Sequence, residues 1–184
     1  MAKFKIKWNS EKILSLSAMS ISFITLIIFV YQTNLMSKQN YLSILPYLQV
    51  ATSDNPTANS YSLSLKNHGV GPAIIESVVM EYEGERRDIA DFDNYLFNYL
   101  QSIAPELDSI KNSDTSTLDK GIAIPANSTY LVFNVTSSEK DYQLLTEKLF
   151  ALEENGLRFE IIYKSIQNER WIIHNDSQGP EKLD

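Results

Sequence analysis

Residues 61–76 read Y-S-L-S-L-K-N-H-G-V-G-P-A-I-I-E, an order that spells two strands with a break between them. Tyr61, Leu63 and Leu65 alternate with Ser62, Ser64 and Lys66, the period of a half-buried strand. Gly69, Gly71 and Pro72 interrupt that pattern. From Ile74 to Glu83 an extended pattern resumes, with Ile75, Val79 and Tyr82 among its apolar positions. At the break, Asn67 tolerates the left-handed region, Gly69 and Gly71 are expected to supply positive φ, and Pro72 fixes its own φ. Asn67, Gly69, Gly71 and Pro72 are therefore expected to shape a strand connection rather than to bind a ligand.

Working outward, the same kind of signal recurs. Upstream, Tyr47 to Ala51 reads as a first strand and residues 52–60 as a polar loop. Downstream, Gly84 closes a hairpin side and Arg86 to Ala90 forms a short partner. Asp91 to Ala104 reads as a helix, with Asp91 or Asp93 as N-cap and Phe92, Leu96, Tyr99/Leu100 and Ile103 on one face. Residues 111–117 read as a loop, Leu118 to Ile124 as a strand, and Tyr130 to Val135 as a strongly apolar strand. A second helix is expected from Glu139 to Glu154, with Tyr142, Leu145, Leu149 and Leu152 as its stripe and Asn155-Gly156 as its end. Leu157 to Tyr163 and Arg170 to His174 form a closing hairpin. About seven short strands with two inserted helices predict a mainly β fold, an antiparallel β-sandwich, over residues 46–174. A mixed α+β sheet is the alternative.

Ahead of this domain stands Ile13 to Tyr31, I-L-S-L-S-A-M-S-I-S-F-I-T-L-I-I-F-V-Y, with no charge, proline or glycine. As a helix it rises about 28 Å, close to the ~30 Å hydrocarbon core of a bilayer. A cleaved signal peptide has a shorter apolar run and a small-residue cleavage site, which residues 31–36 do not offer. Residues 13–31 are therefore read as a retained transmembrane anchor, and the lipid bilayer as a partner of this segment. Residues 1–12 form a basic tail, and 32–45 a helical stalk in which Ile28, Leu35 and Leu42 repeat at seven. Residues 175–184 are read as a disordered tail. Lys3, Lys5, Lys7 and Lys12 precede the span, so the N-terminus is expected in the cytoplasm and the rest outside. Within the span, Ser15, Ala18, Ser22 and Thr25 fall on one helix face, a packing face for another helix or a second copy.

Charge divides with the membrane. Residues 1–12 carry four Lys and one Glu, net +3, and residues 32–184 carry twelve Lys/Arg and twenty-two Asp/Glu, net −10. An acidic outer domain argues against nucleic acid as a partner. The chain has no cysteine, which excludes disulfides and thiolate metal sites.

The pattern L-x-L-x-N-x-G-x-G-P-A-x-I in residues 63–75, with Leu45-Pro46-Tyr47-Leu48 upstream, resembles that of small, largely uncharacterised bacterial membrane-anchored proteins. The stretch Ile124-Pro125-Ala126-Asn127 before Tyr130–Val135 and the closing Tyr163-to-Trp171 hairpin are similar too. The N-x-G-x-G-P-A part also resembles a turn of immunoglobulin-like adhesion and scaffold domains. The resemblance implies a bacterial cell envelope and an immunoglobulin-like sandwich. It carries no activity and no catalytic residues.

Chemistry is sparse. His68 and His174 are a weak metal signal without a defined carboxylate partner. Glu81, Glu83, Glu85, Asp88, Asp91 and Asp93 cluster in sequence, the first three on one face if the strand ran on, and read as a solvated edge. The Gly69/Gly71 turn leads into a strand, which disfavours a phosphate loop. No catalytic residue, cofactor or metal site is assigned. The expected function is a non-enzymatic, single-pass protein that presents its outer domain to another membrane or envelope protein, or to itself. A small-ligand sensor or carrier that needs a partner to signal is the alternative.

Overall fold

The computed structural model describes residues 9–90, 95–175 and 177–183. The chain divides between Leu42 and Ser43 into two compact units. The first is a single helix, α1 (Ser10–Leu42), of 33 residues with none buried. It is long and apolar enough to cross a membrane. It runs without interruption through the boundary drawn at Tyr31 and stops four residues before Pro46.

The second unit is mainly β. Its strands are β1 (Leu48–Asn55), β2 (Ser60–Asn67), β3 (Ala73–Tyr82), β4 (Glu85–Asp88), β5 (Ser113–Thr115), β6 (Ala123–Ile124), β7 (Ser128–Val135), β8 (Arg158–Lys164), β9 (Arg170–His174) and β10 (Glu181–Leu183). Two helices are inserted, α2 (Leu96–Ile103) and α3 (Glu139–Glu154). One antiparallel sheet has the order β1-β2-β7-β5, the other β10-β9-β8-β3-β4, with β6 beside the start of β3. The expectation of a mainly β domain with two inserted helices holds in this form, and the mixed sheet does not.

Local chemistry explains the turns. Between β1 and β2, the Asn55 side chain accepts from the Ala58 N–H at 3.1 Å and caps a 3-10 turn over Pro56–Ala58. Glu83 and Gly84, at φ 52° and 82°, make the two-residue link from β3 to β4, which requires positive φ at both positions. The hydroxyl of Ser138 accepts from the Asp141 N–H at 3.2 Å and starts α3, and Gly156 at φ 89° follows its end.

The core lies between the sheets and is built by Leu48, Leu63, Leu65, Ile75, Val78, Met80, Phe133, Ile161, Tyr163 and Ile173. Two bulges set which residues enter it. On β3 the pairing with β8 jumps from Ile75↔Tyr163 to Ser77↔Ile162, so Glu76 is an extra residue. The side-chain alternation flips there, and Val78 and Met80 are buried where simple period two from Ile75 points to Val79. On β7 the pairing with β2 skips Val132, and Val132 and Phe133 are both buried.

Other expectations are corrected. The polar loop at 52–60 begins later, because β1 pairs with β2 as far as Asn55↔Ser60. The loop at 111–117 contains β5, held by β7, while the strand expected at 118–124 shrinks to β6. The tail at 175–184, expected to be disordered, contains β10, which pairs with β9 through Glu181↔Ile172 and Leu183↔Arg170. The strand count is ten among the described residues, not seven. The expected caps Asp91 and Asp93, with Phe92, lie outside the described residues, as do most of the basic tail and Asp176 and Asp184.

Register fixes two ends. Leu48↔Asn67, Asn67↔Ser128, Ala73↔Ile124 and Ile74↔Lys164 bring together the starts of β1, β3 and β7 and the ends of β2, β6 and β8. The chain enters the domain at this proximal end, through residues 43–47. The connection between β7 and β8, which is α3, lies at the distal end.

Candidate functional site

Among the described residues, at least two places concentrate polar groups inside apolar surroundings. The first is the proximal knot around Asn67, whose side chain is 1% exposed. Its Oδ1 accepts from the backbone N–H of Tyr47 at 3.1 Å and of Gly69 at 3.0 Å. Its amide nitrogen donates to the carbonyls of Gly71 at 2.8 Å, Ile124 at 3.0 Å and Pro125 at 3.1 Å. One side chain thus ties the incoming segment, the β2–β3 turn and the β6–β7 turn. Burying these backbone groups without partners would cost free energy, and the amide satisfies both donors and acceptors.

The glycines of the knot act differently from the expectation. Neither Gly69 nor Gly71 is among the residues at positive φ. They are needed because backbone passes against them. A Cβ on Gly71 would overlap the Ile44 carbonyl, and one on Gly69 would overlap the Leu45 carbonyl and the Tyr47 nitrogen. The Val70 and Gly71 N–H groups both donate to the Leu45 carbonyl, at 3.0 and 3.3 Å. Pro72 is half-buried and leads into β3. The knot therefore clamps residues 44–47.

The second place is a lateral cleft at the β1 edge, with a cavity of about 80 Å³. Val50, Tyr61 and Leu63 line it from one sheet, Met80 and Phe159 from the other, and Glu153 of α3 stands at its side. The Tyr61 ring stacks on Phe133, their centroids 6.2 Å apart. Burial, then the carboxylates of Glu153 and Asp54, push the Tyr61 hydroxyl up to about 12. Asp54 accepts a hydrogen bond from the Tyr142 hydroxyl at 2.6 Å. The volume is well under the ~300–1,000 Å³ of small-molecule sites.

Several other charges are paired or structural. Glu76 lies between Arg170 at 2.6 Å and Lys164 at 3.4 Å, and Arg86 between Glu160 at 2.6 Å and Glu81 at 3.3 Å. The turn at Glu83-Gly84 separates Glu81 from Glu85, so the sequence cluster does not continue along one strand face. Asp88 accepts from the Ser77 hydroxyl at 2.6 Å and from the Val78 and Ala90 N–H groups. Burial alone would raise its carboxyl, but those bonds and the Lys120 charge hold it below the usual range. His68 sits at the proximal end and His174 at the far end of β9. Among the described residues no group of three His, Asp or Glu side chains converges to hold a metal.

On α1 the small residues keep their hydroxyls occupied. Ser15 donates to the Lys12 carbonyl at 3.2 Å, Ser22 to Ala18 at 2.9 Å and Thr25 to Ile21 at 2.8 Å. A face of Ser15, Ala18, Ser22 and Thr25 therefore presents no unsatisfied donor to its surroundings.

Sequence reasoning missed two features. The Leu48 N–H donates to the hydroxyl of Tyr163, 115 residues away, at 3.2 Å, a contact no local pattern encodes. The cleft joins β1, β2, β3, β7, β8, α2 and α3, and only its apolar strand positions and the helix-stripe residues Leu96, Leu100 and Leu149 carried any signal. No protein-family model and no curated protein matches the chain. What fold and helix define is a mainly β domain preceded by one helix able to span a membrane.

Proposed function

We propose that this is a non-enzymatic, single-pass envelope protein that presents an immunoglobulin-like domain to another protein. The observation that carries this reading is the pairing of a span-length apolar helix with a domain whose point of chain entry is clamped by Asn67, Gly69 and Gly71. Such a base fixes the point at which the chain enters the domain. The four lysines before the span favour a cytoplasmic N-terminus, with the β domain periplasmic or extracellular. A bacterial inner membrane is the setting the sequence pattern implies, and an accessory subunit of an envelope complex the role.

Strand order supports the immunoglobulin-like part. Lettering β1, β2, β7 and β5 as A, B, E and D makes the first sheet ABED. Lettering β4, β3, β8 and β9 as C′, C, F and G makes the other C′CFG, with β10 outside G. On this reading α3 stands where the E–F connection runs, and α2 between C′ and D. The cleft's small volume speaks against a free small ligand at that place.

Topology and partnership are tested together. Protease added outside spheroplasts should remove the domain and leave a fragment near the span. A protected domain would reverse the topology. Membrane cross-linking should recover a reproducible partner, hetero or self, and repeated recovery of none would refute the interaction role.

A further inference from the structure

We infer that the free edge of β1 and the cleft beside it dock an extended segment of a partner protein that carries an aliphatic side chain and, two residues along, a lysine or arginine. The inference rests on the protein-binding reading above and names its site and the chemistry of its partner.

The hydrogen-bond phase of the ladder shows which groups are free. The His68 N–H donates to the Tyr47 carbonyl at 2.8 Å and the Val70 N–H to the Leu45 carbonyl at 3.0 Å, so 47/68 and 45/70 are hydrogen-bonded pairs. Antiparallel pairs alternate, and the register from Leu48↔Asn67 to Asn55↔Ser60 has no shift. Residues 49, 51, 53 and 55 therefore bond to β2, while 48, 50, 52 and 54 turn their N–H and C=O to the open edge. The outward N–H of Leu48 is taken by the Tyr163 hydroxyl at 3.2 Å. Among the described residues, the outward N–H groups of Val50, Thr52 and Asp54 have no such partner. β1 also lacks the proline or lysine that guards many natural edges.

The side chains of the same residues face the cleft. Val50 and Thr52 line it, and Thr52 and Asp54 are exposed although they belong to the inward-facing set. A strand added along β1 would lay alternate side chains over that face. A cavity of about 80 Å³ takes one branched aliphatic tip, since ~150 Å³ of apolar space suffices for benzene. The next side chain on that face would reach the Asp54 and Glu153 carboxylates, which have no ion-pair partner among the described residues. A second copy is the poorer occupant. It would bring the same carboxylates together, and residues 48–55 carry no basic side chain to offset them.

The test uses the full chain in nanodiscs and the acetylated, amidated peptide TITLTKT, whose Ile, Leu and Lys share one face. The peptide should bind and slow hydrogen exchange at Val50, Thr52 and Asp54, and its Lys-to-Glu version should bind at least about tenfold more weakly. Thr52→Pro removes an outward donor and no ladder bond, so it should abolish binding while Trp171 fluorescence, read with Trp8 replaced by Phe, stays native. Should Thr52→Pro not fold, Glu153→Lys decides, because it should reverse the preference between the two peptides. No binding at about 1 mM, binding unaffected by Glu153→Lys, or protection away from β1 overturns the site. A natural partner cross-linked equally to wild type and to folded Thr52→Pro would keep the protein-binding reading and overturn this site alone.

Discussion

Replacing Asn67 by aspartate changes one nitrogen to oxygen and should undo the proximal knot in a pH-dependent way. The Oδ1 side, accepting from Tyr47 and Gly69, is preserved. On the other side, an oxygen would stand 2.8–3.1 Å from three carbonyl oxygens, where an amide now donates. Losing two donors at a 1%-exposed position leaves buried acceptors unpaired at about 1–3 kcal/mol each. The expected loss near neutral pH is about 3–5 kcal/mol, a large share of a typical 5–15 kcal/mol. A proton on the introduced carboxyl restores one donor, so its folded pKa must rise above the unfolded ~3.9. Its stabilisation is then full below the unfolded value and lost as pH rises through the folded one. The gap between Asn67→Asp and wild type should therefore narrow on acidification. Urea unfolding followed by Trp171, which is buried and stacked on Tyr163, reads it once Trp8 is replaced by Phe. Equal urea midpoints near neutral pH, or a gap that does not change with pH, would refute the account.

Three further outcomes are expected. Gly71→Ala should cost more than Gly156→Ala: the first overlaps the Ile44 backbone, whereas the second has open space at φ 89° and loses about 1 kcal/mol. Equal urea midpoints for the two variants would show that the close approach is not needed. Burial pushes the Tyr163 hydroxyl, in a fully buried residue, up to about 12 from 10.0, so stability intact below the lower value should fall by roughly 2–3 kcal/mol as pH rises to the upper one. Tyr163→Phe should remove that residue's share of the alkaline slope and leave the share from Tyr61, yet cost about 1–3 kcal/mol at neutral pH by orphaning the Leu48 N–H. In this cysteine-free chain, Ser22→Cys should form more oxidative dimer in membranes than Ile21→Cys if copies meet over the small-residue face. Equal yields would remove self-association from the proposed function.

Sequence alone carried the long apolar helix, because an uncharged run of membrane length needs no partner segment to declare itself. It also carried α3, whose stripe and closing glycine are both local, and the alternation of β2. It marked Asn67, Gly69 and Gly71 as special by spacing, but gave the wrong reason for the glycines. Whether a glycine serves positive φ or close approach depends on what passes beside it, and Ile44 to Tyr47 lie more than twenty residues upstream of those they touch. The bulge at Glu76 was equally invisible, since the partner strand β8, not β3, sets the register that buries Val78 and Met80. β5 and β10 are too short and polar to signal themselves, and exist because β7 and β9 offer an edge. The free side of β1 is likewise a property of sheet order: only tertiary pairing decides which strand is left without a neighbour.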